Sequence, residues 1–261
     1  MRSPLAYIHP EAKLAPDVVV EPFAVIHRDV EIGAGTWIGS HTVISDGARI
    51  GQNCRIHPGS VVSGVPQDLK FSGEVTFTEI GDNTVIREFV TISRGTVHSN
   101  KTVIGSNCLI MAYVHIAHDC IIGDRVILVN SVQLAGHVVI EEFAIVGGAS
   151  AVHQFVRIGA HVMIAGGSLV RKDVPPFVTA AREPLSYSGI NSIGLRRRGF
   201  SNDKINEIQE IYRRIYMQGN NNLKAIDQIV VELPSSKERD DIVNFIRNSD
   251  RGIMKGYISR S

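Results

Sequence analysis

The sequence predicts a mainly β chain, a parallel β-helix of hexapeptide repeats followed by a C-terminal α-helical domain. Three observations carry that prediction. Stepping by six from Ile8 meets only Ile, Leu or Val through Val62, then at Ile80, Ile86 and Ile92, and again from Ile104 to Val170. The position four residues later holds small or β-branched residues, among them Ala24, Thr36, Cys54, Ser60, Cys108, Val126 and Ser168. Beyond Val170 the period of six ends and helical spacing of apolar residues takes over.

A period of six is neither helical nor simple strand alternation, so it requires short strands joined at regular corners. Three hexapeptides make one triangular coil of 18 residues, and residues 18 apart stack at about 4.8 Å. The large aliphatic residue fills the interior, the small one makes room for it, and the Gly that often follows, as in Ile50-Gly51 and Ile104-Gly105, is read as tolerating the turn. On this frame residues 1–176 form the β-helix, with loops inserted at 64–79 and 94–103 where the repeat breaks. A solenoid can extrude a loop from a corner without losing its ladder, and such loops are where binding residues tend to sit. The first loop carries Gln67, Asp68 and Lys70. Cys54, Cys108 and Cys120 all fall at the small inward position, which assigns them to packing.

At Asp173-Val174-Pro175-Pro176 two prolines are expected to stop the stack. Residues 177–193 read as a linker and 194–261 as a helical domain that caps the open end. Ile205, Ile208, Tyr212, Ile215 and Tyr216 share one helix face, and Leu223, Ile226, Val230 and Leu233 a second. Ser235 and Glu238 form a capping-box pattern opening a third helix, with Ile242, Phe245 and Ile246 inward.

Net charge is +1 over 261 residues, so the total gives no reason to expect nucleic acid or an anionic membrane as partner. From Gly194 onward, however, 13 Lys and Arg stand against 9 Asp and Glu, a net of +4 suited to an acidic partner. No segment approaches the roughly 20 apolar residues of a membrane span. The N-terminus lacks a signal-peptide pattern, and three widely spaced cysteines argue against a disulfide framework. A cytoplasmic location is expected.

The stretch His115-Ile116-Ala117-His118-Asp119-Cys120 is the richest in chemistry. Counting by 18 from His118 reaches Gly136 beside His137, and a further 18 reaches Gln154 beside His153. The repeat therefore predicts a histidine-lined cleft along one edge, with His115 at the preceding corner. A neutral imidazole there could act as general base, and Asp119 could fix its tautomer if the pair sits at a corner. Three histidines could equally hold zinc. Spacing leaves both readings open.

Several stretches together resemble the UDP-N-acetylglucosamine O-acyltransferase family: Gln67-Asp68-Leu69-Lys70, Ile92-Ser93-Arg94-Gly95-Thr96, the histidine stretch, Leu134-Ala135-Gly136-His137, Ala151-Val152-His153-Gln154-Phe155, Gly159-Ala160-His161-Val162-Met163 and Arg197-Arg198-Gly199-Phe200. The resemblance implies a left-handed β-helix and a homotrimer with sites between subunits. It implies transfer of an (R)-3-hydroxyacyl group from acyl carrier protein to the sugar 3-hydroxyl of UDP-N-acetylglucosamine, in the first step of lipid A biosynthesis. His118 would be the general base, Asp119 its orienting partner and the Gly136 N–H the oxyanion donor. Gln67, Asp68, Lys70, His115, His137, His153 and Gln154 would bind the sugar, the acyl hydroxyl or the carrier's phosphopantetheine arm; Asn191, Arg197 and Arg198 would take the nucleotide end. No metal or other cofactor is implied.

Two positions depart from the family pattern. Ile193 stands where a carboxylate is expected at the nucleotide end, and Gly166 falls at the acyl-length selector, where it leaves space for a long chain that Ala165 trims. The rival readings are a hexapeptide N-acyltransferase, whose extra N-terminal uridine-binding domain is not expected here because the repeats begin at Ile8, a zinc-dependent γ-type carbonic anhydrase, and a non-catalytic binding solenoid.

Overall fold

The computed structural model describes residues 1–217 and 222–256. Its three sheets have 9, 8 and 11 strands, and within the coils each strand is hydrogen-bonded in parallel to one three strands away in sequence. Plain coils pair residues 18 apart, as Val139 with Arg157 and Ile127 with Ile145. The first inserted loop lengthens that step to 30, Val61 facing Thr91, and the second to 24, Phe77 facing Lys101. The ladder survives both insertions because each leaves from a corner.

Sequence periodicity becomes core directly. Ile26, Ile38, Ile56, Ile86, Ile110 and Ile116 are fully buried, and so are Ala24, Cys54 and Val126 at the small position. Burying one such aliphatic side chain contributes about 1.5–3 kcal/mol, and the stack repeats it along its axis. Burial pushes the thiols of Cys108 and Cys120 up, to about 11 and about 12, as expected of packing residues. Only Ile8 and Leu14, in the first coil, stay half-exposed, since no coil covers them from below.

The glycines do a different job from the one their position suggested. Gly33, Gly51, Gly105 and Gly123 do not have positive φ; a Cβ on Gly33 would stand 2.7 Å from the Gly51 backbone, and one on Gly105 2.7 Å from Asp124 N. They permit close approach between coils. The left-handed residue of each corner comes later and is usually not Gly: Asn53, Asn83, Asn107, Arg125, Phe143, His161 and Phe177 line one corner, Phe89, Tyr113, Ser131 and Ala149 another, and Asp119, His137 and Phe155 the third.

The prolines do not stop every sheet. Val178–Ala181 adds one more parallel strand, with Met163 opposite Thr179, and Ser186–Ile190 returns antiparallel to it. Pro175 and Pro176 lie before that strand and need not donate to a ladder. The stretch read as a linker therefore carries two strands, and the helix Ser192–Arg197 follows at once. The long helix Asn202–Met217 buries Ile205, Ile208, Ile211, Tyr212 and Ile215. Its Tyr212 hydroxyl donates to the Pro176 carbonyl at 2.6 Å, fastening the helices to the top coil.

Two helical expectations need correction. In Asn222–Glu232 the buried stripe is Ala225, Ile226 and Ile229, because the helix packs against both Asn202–Met217 and Lys237–Arg247, while Leu223 and Val230 are exposed. The last helix is capped by Ser236, whose Oγ accepts the Arg239 N–H at 3.1 Å; Ser235 bonds Asp240, and Glu238 pairs with Lys204 at 2.9 Å. Ile242, Phe245 and Ile246 face inward as expected. No helix among the described residues is long and apolar enough to cross a membrane.

Candidate active site

The strand His115–Ile116 ends and Ile121 begins the next, so His118 and Asp119 occupy the corner between them, while His115 lies on the strand and not at the corner expected for it. Asp119 takes φ +60°, which turns adjacent side chains toward each other instead of to opposite faces. His118 Nδ1 lies 2.7 Å from Asp119 Oδ2. The carboxylate is buried and heavily bonded: Oδ1 accepts the Thr96 N–H at 3.0 Å, the Ser99 N–H at 3.3 Å and the Ser99 hydroxyl, and Oδ2 accepts the Thr96 hydroxyl at 2.7 Å. Burial alone would raise this carboxyl, but the bonds from Ser99, His118 and Thr96 outweigh it and hold it well below the usual range. An ionised Asp119 accepts at Nδ1, so that nitrogen carries the proton and Nε2 presents its lone pair.

Gly136 stands against that lone pair. A Cβ there would sit 2.8 Å from His118 Nε2 and 2.7 Å from Cε1, so only glycine leaves the ring where it is. Gly136→Ala should displace His118 and lower turnover about 10²-fold with little change in melting temperature; comparing steady-state rates with thermal melts checks this. The Gly136 N–H has no partner among the described residues.

His137 completes the group, its ring 5.1 Å from His118 and stacked on Phe155 at 4.4 Å. Its pKa is lowered by burial and by the nearby His118 and His98, with Asp119 and Asp68 acting in the opposite sense. His115, bonded to Thr91 Oγ1 at 2.8 Å, is lowered by burial and His118. Asp68 thus reaches the site electrostatically from the first loop, while Gln67 and Lys70 lie exposed on it. His153 and Gln154 are exposed one coil above; His153 Nδ1 is turned to Arg251 at 3.3 Å and does not join the other imidazoles.

Among the described residues one cluster has potential ligand atoms within 4.8 Å of one another, His118, Asp119 and His137. Its chemistry does not suit zinc, since Asp119 already accepts five hydrogen bonds on about four acceptor positions.

The remaining candidates occupy other corners. Asn191 caps the helix Ser192–Arg197 through Gly194 N at 3.1 Å and donates to the His161 carbonyl at 2.9 Å, so much of its bonding is internal. Arg198 donates to the Phe143 carbonyl at 2.9 Å with its guanidinium over that ring; Arg197 and Ile193 are exposed beside it. Gly166 lies on the corner of Ser131 and Ala149, where a Cβ would meet Gly148 O at 3.2 Å. Sequence reasoning missed Thr96, Ser99 and His98, whose ring is 4.6 Å from His137. Their signal was the second break in the repeat, which is rich in hydroxyl and imidazole groups.

Comparison with known proteins places this arrangement. Residues 173–254 match the model of UDP-N-acetylglucosamine O-acyltransferase domain 2, and 29–64 and 101–136 match bacterial transferase hexapeptide repeats. The acyl-[acyl-carrier-protein]–UDP-N-acetylglucosamine O-acyltransferase of Thermodesulfovibrio yellowstonii is 45% identical over 96% of this chain and 97% of its own; that of Chlorobaculum parvum is 47% identical over 95% of each. The solved UDP-N-acetylglucosamine acyltransferase of Bacteroides fragilis is 49% identical, with a TM-score of 0.95 over 98% of this chain and all of that one. With close to half its residues shared along nearly its whole length, and a left-handed parallel β-helix bearing the same C-terminal domain, this chain belongs to the UDP-N-acetylglucosamine O-acyltransferase family.

Proposed function

We propose that this chain transfers an (R)-3-hydroxyacyl group from acyl carrier protein to the 3-hydroxyl of UDP-N-acetylglucosamine, the first step of lipid A biosynthesis, in the cytoplasm. The observation that carries the mechanism is the 2.7 Å bond from His118 Nδ1 to a buried, saturated Asp119. It leaves Nε2 as the base for the sugar hydroxyl. As the proton moves to Nε2, the hydroxyl oxygen attacks the thioester carbon, and the carbonyl electrons move onto oxygen beside the Gly136 N–H. Collapse forms the ester and expels the pantetheine thiolate, which takes the proton back from His118. The acyl donor is the carrier's phosphopantetheine thioester, and the reaction needs no metal or cofactor of its own.

A homotrimer fits the placement of the other residues. The base, the arginines and the acyl selector lie on three corners of one chain. The face between the base and Arg198 ends under the helix Lys237–Arg247, where Phe245 covers the Arg157 guanidinium at 4.6 Å. One ligand reaches all three groups most directly when neighbouring chains supply different corners. Exposed Val65, Leu69, Val75 and Val97 on the two inserted loops give such a neighbour an apolar surface to cover. Asp68, Lys70, His115, His137, His153 and Gln154 then line the sugar and pantetheine end. Asn191, Arg197 and Arg198 serve the nucleotide, whose phosphates suit guanidinium pairing. The +4 balance of the C-terminal part suits an acidic carrier protein.

The test is acyl transfer to UDP-N-acetylglucosamine from (R)-3-hydroxyacyl carrier proteins of graded length, read by mass spectrometry. Product should form in the presence of a metal chelator, with long chains preferred. Gly166→Met, whose side chain would fill the space beyond Gly148, should shift the preference to shorter chains. Absence of product at every length, or loss of activity to chelator with restoration by zinc, would overturn the reading.

A further inference from the structure

The second inserted loop has a chemical use beyond decoration. It lengthens one coil from 18 residues to 24, and the six added residues form a turn closed by the Asn100 N–H on the Thr96 carbonyl at 2.8 Å. Gly95 lets that turn seat tightly, since a Cβ there would stand 2.3 Å from Lys101 N. The turn aims four donors, the N–H and hydroxyl of both Thr96 and Ser99, at the single carboxylate of Asp119. From the opposite side the Asp119 N–H is held by Thr102 Oγ1 at 2.9 Å.

We propose that Thr96 and Ser99 are positioning residues for the acyl transfer, acting through Asp119 to set both the direction and the strength of the His118 base. The proposal rests on His118 being that base. Each carboxylate oxygen offers about two acceptor positions; the turn crowds three donors onto Oδ1 and sets one, the Thr96 hydroxyl, on Oδ2, so the position left on Oδ2 is the one facing Nδ1–H. The imidazole is thereby fixed in one tautomer with Nε2 toward Gly136. The same donors draw negative charge from the carboxylate, so Asp119 polarises His118 without holding its proton too firmly. The other titratable groups around His118 are His137 and His115, with His98 and Asp68 beyond His137. None is altered by changing Ser99 or Thr96.

The experiment is a pH–rate profile on the intact enzyme for Ser99→Ala, Ser99→Thr and Thr96→Val, with thermal melts of each. Ser99→Ala should lower kcat about tenfold with KM within about twofold. Its carboxylate, less well solvated, binds the imidazolium more strongly, so the acid limb of kcat/KM should move up by roughly half a pH unit or more. Thr96→Val should move in the same direction, and Ser99→Thr, which keeps the hydroxyl, should return most of the rate and the original limb. An acid limb and kcat unchanged in Ser99→Ala would overturn the proposal. So would a rise in KM alone, which marks a substrate contact, or a Ser99→Thr variant as impaired as Ser99→Ala. Transfer by the unchanged enzyme and its loss in His118→Ala test the base itself, so failure of that assignment is distinguishable from failure of the clamp.

Discussion

His118→Ala should abolish acyl transfer, by about 10²–10⁴-fold in kcat, while leaving the melting temperature within a degree or two of the parent. The ring is partly exposed, and its removal leaves Asp119 still bonded to Thr96 and Ser99. Asp119→Ala should behave differently. It frees His118 to rotate or take the other tautomer, so kcat falls by a comparable factor. It also strands the Thr96 and Ser99 donors, each unsatisfied buried group costing about 1–3 kcal/mol. The pair of measurements separates chemistry from architecture: one variant is inactive and stable, the other inactive and several degrees less stable. Equal melting temperatures in the two would mean that the loop does not depend on the carboxylate.

Why one of these residues was legible and its supports were not follows from the repeat. His118, Gly136 and His137 could be placed together by counting in steps of 18, because stacked coils turn sequence distance into spatial distance without knowledge of side chains. The inward Ile and the small residues four places on were legible for the same reason. Counting fails where the repeat is interrupted. Thr96 and Ser99 lie in an insertion whose path depends on local turn geometry, and the sequence announced only that something was inserted. The corner conformation was also hidden, since left-handed φ falls on Asp119, His137 and Phe155 rather than on the glycines. In the helical part an apolar period could be drawn through Leu223 and Val230 as well as through Ala225 and Ile229, and only the packing partner chose between them. Arg198 and Gly166 were named by resemblance, and the fold sets them at different corners from His118.

A second large effect is expected from a residue with no assigned part in the chemistry. His161 is buried in the corner it shares with Arg125, Phe143 and Phe177, stacked on Phe143 at 4.9 Å and Phe177 at 5.5 Å, with Phe200 edge-on at 5.2 Å. Its Nδ1 has no hydrogen-bond partner among the described residues. Burial, reinforced by Arg198 and Lys237 against a smaller opposing effect of Glu238, brings its pKa from 6.5 down to about 4. The unfolded chain binds this proton below pH 6.5 and the folded chain only near pH 4, so between those values the unfolded state holds more protons and stability falls as the pH falls. A shift of that size corresponds to a loss of about 3 kcal/mol from this one group. His161→Phe continues the aromatic stack and keeps the backbone carbonyl that Asn191 bonds. It should therefore unfold in denaturant much like the parent at pH 7 and be more stable than it by about 2–3 kcal/mol at pH 4.5. Parallel pH dependences for the two chains would show that protonation of His161 is not what the folded corner resists. If they diverge as expected, acid sensitivity in this protein belongs to the corner that carries Arg198, while the ionised Asp119 protects the catalytic corner well below that range.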